Sequence, residues 1–567
     1  MRLVAERRDQ LQQIGLAGAF ALASVAAGGF VANPSFVRMA FAACLGAFVV
    51  GLGLRVPRPV LYGMVVWLAA LGLTRRLLSH GFAAPGAADP LLLVEPLMLG
   101  ILLVVASDRG AFRLRTPLGR AVTVLAWVFA LGALNPLQGS LFAGLSSLIF
   151  FLPIGAFWIG RMLDARTFKI ALVTYAVCAV PAALYGLYQI SSGFPSWDQA
   201  WIDSSGYSAL QIGSATRPFS AFSSASEYAT FLAAGIVIWL AVGRRALRPV
   251  ALAAIALLGI SVVYQSSRGA VVQLAAAVVL MLGARRGLPL WASVVVGAAL
   301  LAFLPTAVRH FAPESYGTSN KSQLIAHEVN GLANPFDSES STASAHISLL
   351  VNGIKGSIHE PLGRGISAVT IAGSKFGGKA AAGAEADPAN AAIATGLPGL
   401  LAYLVVFCLA IGGAYRLAQR TGSPLAVASL GLLVALAPQW LNGGQYAVGW
   451  LPWLVLGWVD ATSARAAAAA HEEEGEGETA APVALPALRP VARPRPAKRQ
   501  PRLVPRRWEL WRLERLAQGQ AGVDPERDEL RRYLLFALRP YVAYDERLPL
   551  EFDGLVREEF GALLEDE

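Results

Sequence analysis

Residues 168–190 read Phe-Lys-Ile-Ala-Leu-Val-Thr-Tyr-Ala-Val-Cys-Ala-Val-Pro-Ala-Ala-Leu-Tyr-Gly-Leu-Tyr-Gln-Ile, a run with one charged side chain. A helix needs about 20 mostly apolar residues to cross the bilayer core. Similar runs recur along the 567 residues, which are 55% hydrophobic and 15% charged, with a mean hydropathy of +0.52. Soluble proteins carry about 25% charged residues. We therefore predict an all-α fold, a polytopic transmembrane helical bundle.

The apolar runs predict fourteen membrane spans in all. They cover residues 13–32, 36–54, 59–74, 90–106, 120–135, 143–160, 168–190, 227–243, 248–266, 270–284, 288–307, 391–415, 424–441 and 445–460.

The basic residues give these spans an orientation. With the N-terminus inside, most Lys and Arg residues of the loops fall on the cytoplasmic side, as the positive-inside rule requires. The pair Arg75-Arg76, after the third span, is the main exception. Both termini are then cytoplasmic. This bias also explains the net charge of +10 without nucleic acid as a partner.

The composition divides the chain into three parts. Residues 1–460 form the predicted transmembrane domain, with long outer loops at 191–226 and 308–390. Residues 461–507 have the Ala, Glu, Pro and Arg composition of a disordered linker. Residues 508–567 regain a helical pattern and predict a small helical cytoplasmic tail, which would dock a partner or stabilise the protein.

Two arginines stand out among the residues on the side opposite to the basic loops. Arg217 belongs to Thr-Arg-Pro-Phe-Ser at 216–220 and Arg268 to Ser-Ser-Arg-Gly at 266–269, each just before an apolar span. A cation fully inside the bilayer costs about 2.5–3.5 kcal/mol on insertion scales, so it is usually kept for a partner. Two guanidiniums suit a diphosphate, because each binds phosphate oxygens bidentately. The alternative is contact with lipid headgroups.

Further motifs accompany the arginines in a definite order. Tyr-Gly-Leu-Tyr-Gln at 185–189 ends a span, and Glu-Pro-Leu-Gly-Arg-Gly at 360–365 lies in the large outer loop. Asp-Pro-Ala-Asn at 387–390 precedes Gly-Leu-Pro-Gly at 396–399. Together with the arginine segments, this order resembles the O-antigen ligase and O-antigen polymerase superfamily of bacterial membrane glycosyltransferases. The resemblance covers residues 140–415.

The resemblance implies a reaction at the outer face of the bacterial cytoplasmic membrane. The family transfers a glycan from an undecaprenyl diphosphate carrier to an acceptor, with no metal and no cofactor, and donor binding would fall to Arg217 and Arg268. Its ligases carry a His-Asn pair before the Gly-x-Pro-Gly turn, whereas this chain has Ala389-Asn390. That departure, and fourteen spans with both ends cytoplasmic, favour a polymerase over a lipopolysaccharide ligase.

Glycosyl transfer needs charge stabilisation on the leaving diphosphate and a base near the acceptor hydroxyl. Arg364 joins Arg217 and Arg268 as a candidate for the first role, because its two flanking glycines would let an anion approach. His346 is the first candidate for the base, since many members of the family carry Arg or His at the aligned position. The full set of candidate catalytic residues is His346, Asp387, His359 and Glu360. For each of them, the alternative is an ordinary solvated loop side chain.

We therefore expect a metal-independent glycosyltransferase that polymerises or transfers an undecaprenyl-diphosphate-linked oligosaccharide. Its partners would be that donor, a glycan or lipid acceptor, membrane lipids and, through the tail, other polysaccharide-assembly proteins. The alternatives are ligase-like transfer to a lipid, protein or wall acceptor, a lipid-linked sugar flippase or another transporter, and a non-enzymatic scaffold. A transporter is expected to show repeated halves and polar groups near the bilayer midplane, and the sequence shows neither.

Overall fold

A computed structural model gives the structure of most of the chain. The described residues are 36–79, 89–205, 210–243, 248–313, 315–337, 343–370, 373, 376, 386–441, 445–478, 508–519, 525–539, 548–549 and 552–565. They belong to two compact units, Met1–Ala480 and Ala481–Glu567.

The described part of the first unit consists of helices and one small antiparallel hairpin. The helices are α1 (Phe36–Arg55), α2 (Pro57–Ser79), α3 (Val94–Asp108), α4 (Pro117–Gly132), α5 (Leu141–Ser147), α6 (Ala156–Arg161), α7 (Ala165–Ser192), α8 (Ser196–Ser205), α9 (Ala225–Val242), α10 (Arg248–Gln265), α11 (Arg268–Arg285), α12 (Leu290–Phe311), α13 (Asn320–Ala333), α14 (Ala343–His359), α15 (Asp387–Thr421), α16 (Pro424–Ala435) and α17 (Leu451–Glu478). The hairpin strands are β1 (Gln211–Ile212) and β2 (Ala215–Thr216), with Gln211 opposite Thr216.

Short 3-10 helices extend or join several of these helices. They are Pro90–Leu93, Pro136–Gln138, Leu148–Gly155, Ile366–Val369 and Ala437–Gln439.

Nine helical stretches among the described residues are long and apolar enough to cross a membrane. They are Pro57–Leu77, Pro90–Asp108, Leu141–Arg161, Ala165–Ser192, Ala225–Val242, Arg248–Gln265, Arg268–Arg285, Leu290–Phe311 and Asp387–Thr421.

The helical class predicted from the apolar runs is thereby confirmed, with helices of the length and apolarity that a membrane span requires. Three further predicted spans coincide with shorter apolar helices at Ala42–Arg55, Pro117–Gly132 and Pro424–Ala435. The predicted span at 445–460 overlaps the start of α17. The predicted span at 13–32 lies outside the described residues, and the total of fourteen stays a prediction.

Helix α7 contains the run 168–190 and shows why such a run forms one continuous helix. The Asp164 carboxylate accepts a hydrogen bond from the backbone NH of Thr167 at 2.6 Å, which satisfies one of the free donors of the first turn. The helix then continues to Ser192 and ends before Gly193, whose φ is +85°. A glycine after the last turn ends a helix readily, because it lacks the Cβ that penalises positive φ.

Close helix contacts and a buried ion pair hold the core of this unit together. A Cβ at Gly160 of α6 would overlap the backbone of α17, and a Cβ at Gly457 of α17 would overlap the backbone of α6. Next to this contact, the Arg161 guanidinium bonds the Asp460 carboxylate at 2.5 Å and the Thr116 hydroxyl at 2.8 Å. These bonds link α6, α17 and the start of α4.

Both predicted outer loops contain regular structure. The segment 191–226 holds α8 and the β-hairpin, and the segment 308–390 holds α13 and α14. Helix α13 packs against α10, α11, α12 and the hairpin. Side chains on α8, the hairpin, α13 and α14 therefore occupy defined positions.

Helix α15 is broken at Gly396, whose φ of +68° and ψ of −150° are not helical. Two residues later, Pro398 has no backbone NH, so the carbonyl oxygen of Ala394 has no helical donor. A break of this kind is tolerated within a membrane only where the protein covers the freed backbone groups.

The turn at residues 361–365 covers this break. The backbone NH of Arg364 donates to the carbonyl of Ile393 at 2.8 Å, and that of Gly365 donates to the carbonyl of Ala394 at 2.9 Å. In return, the NH of Leu397 donates to the carbonyl of Pro361 at 3.0 Å. The Glu-Pro-Leu-Gly-Arg-Gly and Gly-Leu-Pro-Gly motifs are therefore the two halves of one structural element.

Helix α17 extends to Glu478, so residues 461–478 of the predicted linker are helical, and the rest of that linker lies outside the described residues. The second unit contains helices α18 (Leu510–Gly519), α19 (Pro525–Leu538) and α20 (Asp553–Glu565). Its small core includes Leu513, Leu538 and Phe560. The tail is thus helical with a core of its own.

Candidate functional site

The segment that carries Arg217 is fastened to α7. The Gln189 side-chain oxygen accepts hydrogen bonds from the backbone NH groups of Phe219, at 3.1 Å, and Ser220, at 2.7 Å. The Ser220 hydroxyl donates to the carbonyl of Ala182 at 2.6 Å. Ser220 also has a φ of +52°, a conformation that costs a non-glycine residue about 1–3 kcal/mol. These bonds keep the segment rigid close to Arg217.

Arg76, one of the two arginines that depart from the positive-inside pattern, anchors the same segment. It pairs with Asp198 of α8 at 2.7 Å, and the two side chains are 1% and 0% exposed. Its guanidinium also donates to the backbone carbonyls of Ser220 and Phe222. Burial of the charge is thus offset by a carboxylate and by carbonyl groups, as a buried arginine requires.

Arg75 makes a second buried bridge at the same place. It pairs with Asp89 at 2.7 Å and donates to the Ser223 hydroxyl at 3.2 Å. The exception to the positive-inside pattern is therefore a structural pair of arginines, each matched by a carboxylate inside the protein.

The second arginine segment is also conformationally strained. Ser266 has a φ of +60°, and Arg268 begins α11 two residues later. Ser220 and Ser266 are the non-glycine residues with positive φ in the part of the chain that the structure describes. Strain of this kind persists only where the surrounding structure enforces it, and it is common at functional sites.

The two arginines converge on one place. Arg217 Nη2 donates to the backbone carbonyl of Ser266 at 2.5 Å, across 49 residues of sequence. The Ser266 hydroxyl lies 2.9 Å from Nδ1 of His327, and Arg268 Nη2 lies 3.3 Å from Nε2 of the same ring. His327 belongs to α13, so three separate segments of the chain meet here.

The hydrogen bonds of His327 define its tautomer. A guanidinium can only donate, so Nε2 of His327 accepts from Arg268 and carries no proton. The ring proton is then on Nδ1, and Nδ1–H donates to the Ser266 hydroxyl oxygen. Burial and the charges of Arg268 and Arg217 lower the pKa of His327 to about 4, so the ring is neutral at pH 7.

Helix α13 forms one wall of this cluster. Gly331 is buried, and a Cβ at this position would overlap the Arg268 guanidinium. Glu328, one turn earlier, is 2% exposed and interacts electrostatically with Arg268 and Arg217. We call Arg217, Ser266, Arg268, His327 and Glu328 the paired-arginine site.

Burial and the neighbouring guanidiniums act in opposite directions on the Glu328 carboxyl. Burial raises the pKa of its carboxyl to about 7, although Arg268 and Arg217 oppose the shift. A site with two guanidiniums and a neutral imidazole can bind an anion, and its carboxyl can gain or lose a proton near neutral pH.

The predicted residues Glu360 and Arg364 pair with each other. Arg364 Nε bonds Glu360 Oε2 at 2.5 Å, and the two side chains are 53% and 37% exposed. The Arg364 guanidinium lowers the pKa of Glu360. The backbone NH of Arg364 meanwhile donates to the carbonyl of Ile393 beside the break in α15.

Asp387 is buried at the start of α15. Its carboxylate accepts hydrogen bonds from the backbone NH of Trp440 and from the Tyr403 hydroxyl, the latter at 3.1 Å. These contacts tie α15 to the chain after α16. His346 and His359 lie on α14 and are both exposed to solvent.

Three residues of the site wall were not among the candidates from sequence: His327, Glu328 and Gly331. The sequence places His327 in a loop with three other histidines, and nothing local separates it from them. The signal that could have found the set is helical spacing. Leu324, Glu328 and Gly331 follow each other at intervals of four and three, so a carboxylate occupies the buried face of a helix.

Comparison with known proteins gives no independent assignment of this site, because the chain matches no family model and no curated protein.

Proposed function

We propose that the chain is an integral membrane glycosyltransferase that takes its donor glycan from a polyprenyl diphosphate, as an O-antigen polymerase does. The glycan would be polymerised or transferred at the outer face of a bacterial cytoplasmic membrane. The observation that carries this proposal is the convergence of Arg217 and Arg268 on Ser266 and His327. Rigid, strained loops hold both cations at the ends of apolar helices, where a lipid-linked anion would arrive.

The two guanidiniums would bind the diphosphate and stabilise it as it leaves the sugar. Charge develops on the leaving oxygens in the transition state, and preorganised donors at that point lower the barrier most. Arg268 is also the first residue of α11, where the helix dipole favours an anion. The base for the acceptor hydroxyl would come from α14, whose His346 and His359 have exposed imidazole rings.

An assay with a purified polyprenyl-diphosphate oligosaccharide tests the proposal. The protein in detergent or nanodiscs is incubated with the donor alone, then with the donor and a second, chemically different acceptor. Growth of the lipid-linked chain in the first reaction identifies a polymerase. Product only in the second identifies the alternative, ligase-like transfer to a lipid, protein or wall acceptor. Absence of product in both, with donor intact, contradicts glycosyl transfer.

One observation favours a second function, a lipid-linked sugar flippase. Transporters commonly bind their substrate at broken helices, and α15 is broken at Gly396. The carbonyls freed at this break already accept hydrogen bonds from Arg364 and Gly365, which leaves them less available to a substrate. Translocation of a fluorescent lipid-linked sugar across proteoliposomes, with no covalent change to it, would support the flippase and exclude the transferase.

A further inference from the structure

Glu328 occupies an unusual position for a carboxylate. It lies on the buried face of α13 with Leu324 and Gly331, and both of its carboxylate oxygens are shielded from solvent. The same face receives the Arg268 guanidinium, which lies against Gly331 and reaches Nε2 of His327. A carboxylate buried among cations is usually retained to balance their charge.

We propose that Glu328 is a built-in counter-ion of the paired-arginine site, and that it takes up a proton when a diphosphate binds to Arg217 and Arg268. This inference depends on the proposed function, because it assumes an anionic ligand at the two arginines. In the ligand-free site, the Glu328 carboxylate balances part of the arginine charge. A bound diphosphate would supply that charge instead, and two anions close together repel each other.

The proton balance of the step is simple. When the diphosphate binds, the Glu328 carboxylate takes up one proton from solvent. The ligand-bound site therefore contains a neutral carboxyl. No covalent bond other than the O–H bond forms, and the proton returns to solvent when the diphosphate leaves. Because the pKa of Glu328 is about 7 before binding, the uptake requires little free energy at neutral pH.

The groups around Glu328 make it the residue of this site that changes its protonation near neutral pH. Arg268 and Arg217 lower its pKa and burial raises it, whereas His327 is already neutral far above its own pKa of about 4. The other charged or titratable residues on α13 and on the helices packed against it are Lys321, Arg248, Tyr264, Arg285, Arg309 and His310. Arg309 donates to the carbonyl of Ala333 at the end of α13.

The test is the pH dependence of diphosphate binding. The ligand is a short-chain polyprenyl diphosphate carrying one sugar, because both of its phosphates stay fully ionised between pH 6 and 8.5. Wild-type affinity should fall by about tenfold per pH unit above pH 7, since one proton is coupled to binding. Glu328→Gln should bind with little pH dependence and, at pH 8.5, at least about tenfold more tightly than wild type. A residue that serves only the fold would not improve binding when altered.

Two further variants separate the outcomes. If Glu328→Gln has the wild-type pH slope and no gain at pH 8.5, the inference is wrong while the arginine site stands. If the slope disappears in His327→Gln instead, the proton belongs to His327 and the assignment to Glu328 is wrong. If wild type binds no diphosphate at any pH, or binds as well after Arg268→Ala, the proposed function fails together with the inference.

Discussion

At the scale of the residue, Gly331 shows how closely the Arg268 side chain packs against α13. It lies inside α13, where alanine is favoured over glycine by about 1 kcal/mol. A methyl group there would overlap both Cδ and the guanidinium of Arg268, the outer part of a flexible side chain. The fold should therefore tolerate the change, but the cation should move.

We expect Gly331→Ala to keep or raise thermal stability and to weaken donor binding by about tenfold or more. Gly356→Ala, on α14, is the matched control, because a Cβ there would contact nothing within 4 Å. Melting temperature and donor affinity are measured on the same samples. A loss of both in Gly331→Ala would mean that the glycine serves the fold and not the position of Arg268.

The arginines themselves give the direct test of donor binding. Arg217→Ala and Arg268→Ala should each lower glycosyl transfer by at least about 10²-fold, the typical effect of removing one preorganised donor. Lysine should restore only part of the activity, because it lacks the planar fork that binds two phosphate oxygens. Arg285→Ala, an exposed arginine in the last turn of α11, is the control. Near-normal turnover in Arg268→Ala would remove that residue from the mechanism.

At the scale of the element, the broken helix α15 and the turn at 361–365 depend on each other. Gly396 adopts a backbone conformation that is open almost only to glycine, and a Cβ there would overlap the carbonyl of Pro361. The glycines of the motifs at 360–365 and 396–399 are therefore explained by backbone geometry, whatever chemistry the side chain of Arg364 adds.

Gly396→Ala should destabilise the protein by about 1–3 kcal/mol from backbone strain alone. The loss should be larger if the added Cβ pushes the turn at 361–365 away from α15. Gly412→Ala lies further along the same helix, where a Cβ would contact nothing within 4 Å, and should be neutral or slightly stabilising. Thermal unfolding in detergent compares the two variants. Equal melting temperatures would show that the break is not held by Gly396.

At the scale of the whole molecule, the distribution of basic residues predicts an orientation in the membrane. Residues 308–390 should face outward and both termini should face the cytoplasm. The buried pairs of Arg75 with Asp89 and of Arg76 with Asp198 remove the main exception to that pattern, since these cations are neutralised inside the protein.

Cysteine labelling in intact cells measures the orientation. In a background without Cys44, Cys178 and Cys408, an impermeant reagent should modify Ser338→Cys and leave Ser463→Cys unlabelled until the cells are permeabilised. Labelling at position 463 before permeabilisation would reverse the orientation and place the paired-arginine site on the cytoplasmic side.

The sequence by itself determined that this protein is built from helices long and apolar enough to span a membrane, because a bilayer imposes a length and an apolarity that can be counted along the chain. It also singled out Arg217 and Arg268, because cations beside apolar spans are costly enough to stand out. Both predictions depend on local properties of the chain.

Only the tertiary structure decided which residues these arginines contact. Ser266 and His327 are 61 residues apart in sequence, and their contact depends on α13 packing over the ends of α10 and α11. Likewise, the sequence does not reveal that the Asp387 carboxylate accepts a hydrogen bond from the backbone NH of Trp440, 53 residues further along the chain. Contacts between distant segments depend on how the helices pack together, and no local pattern of residues encodes which side chains that packing brings into contact.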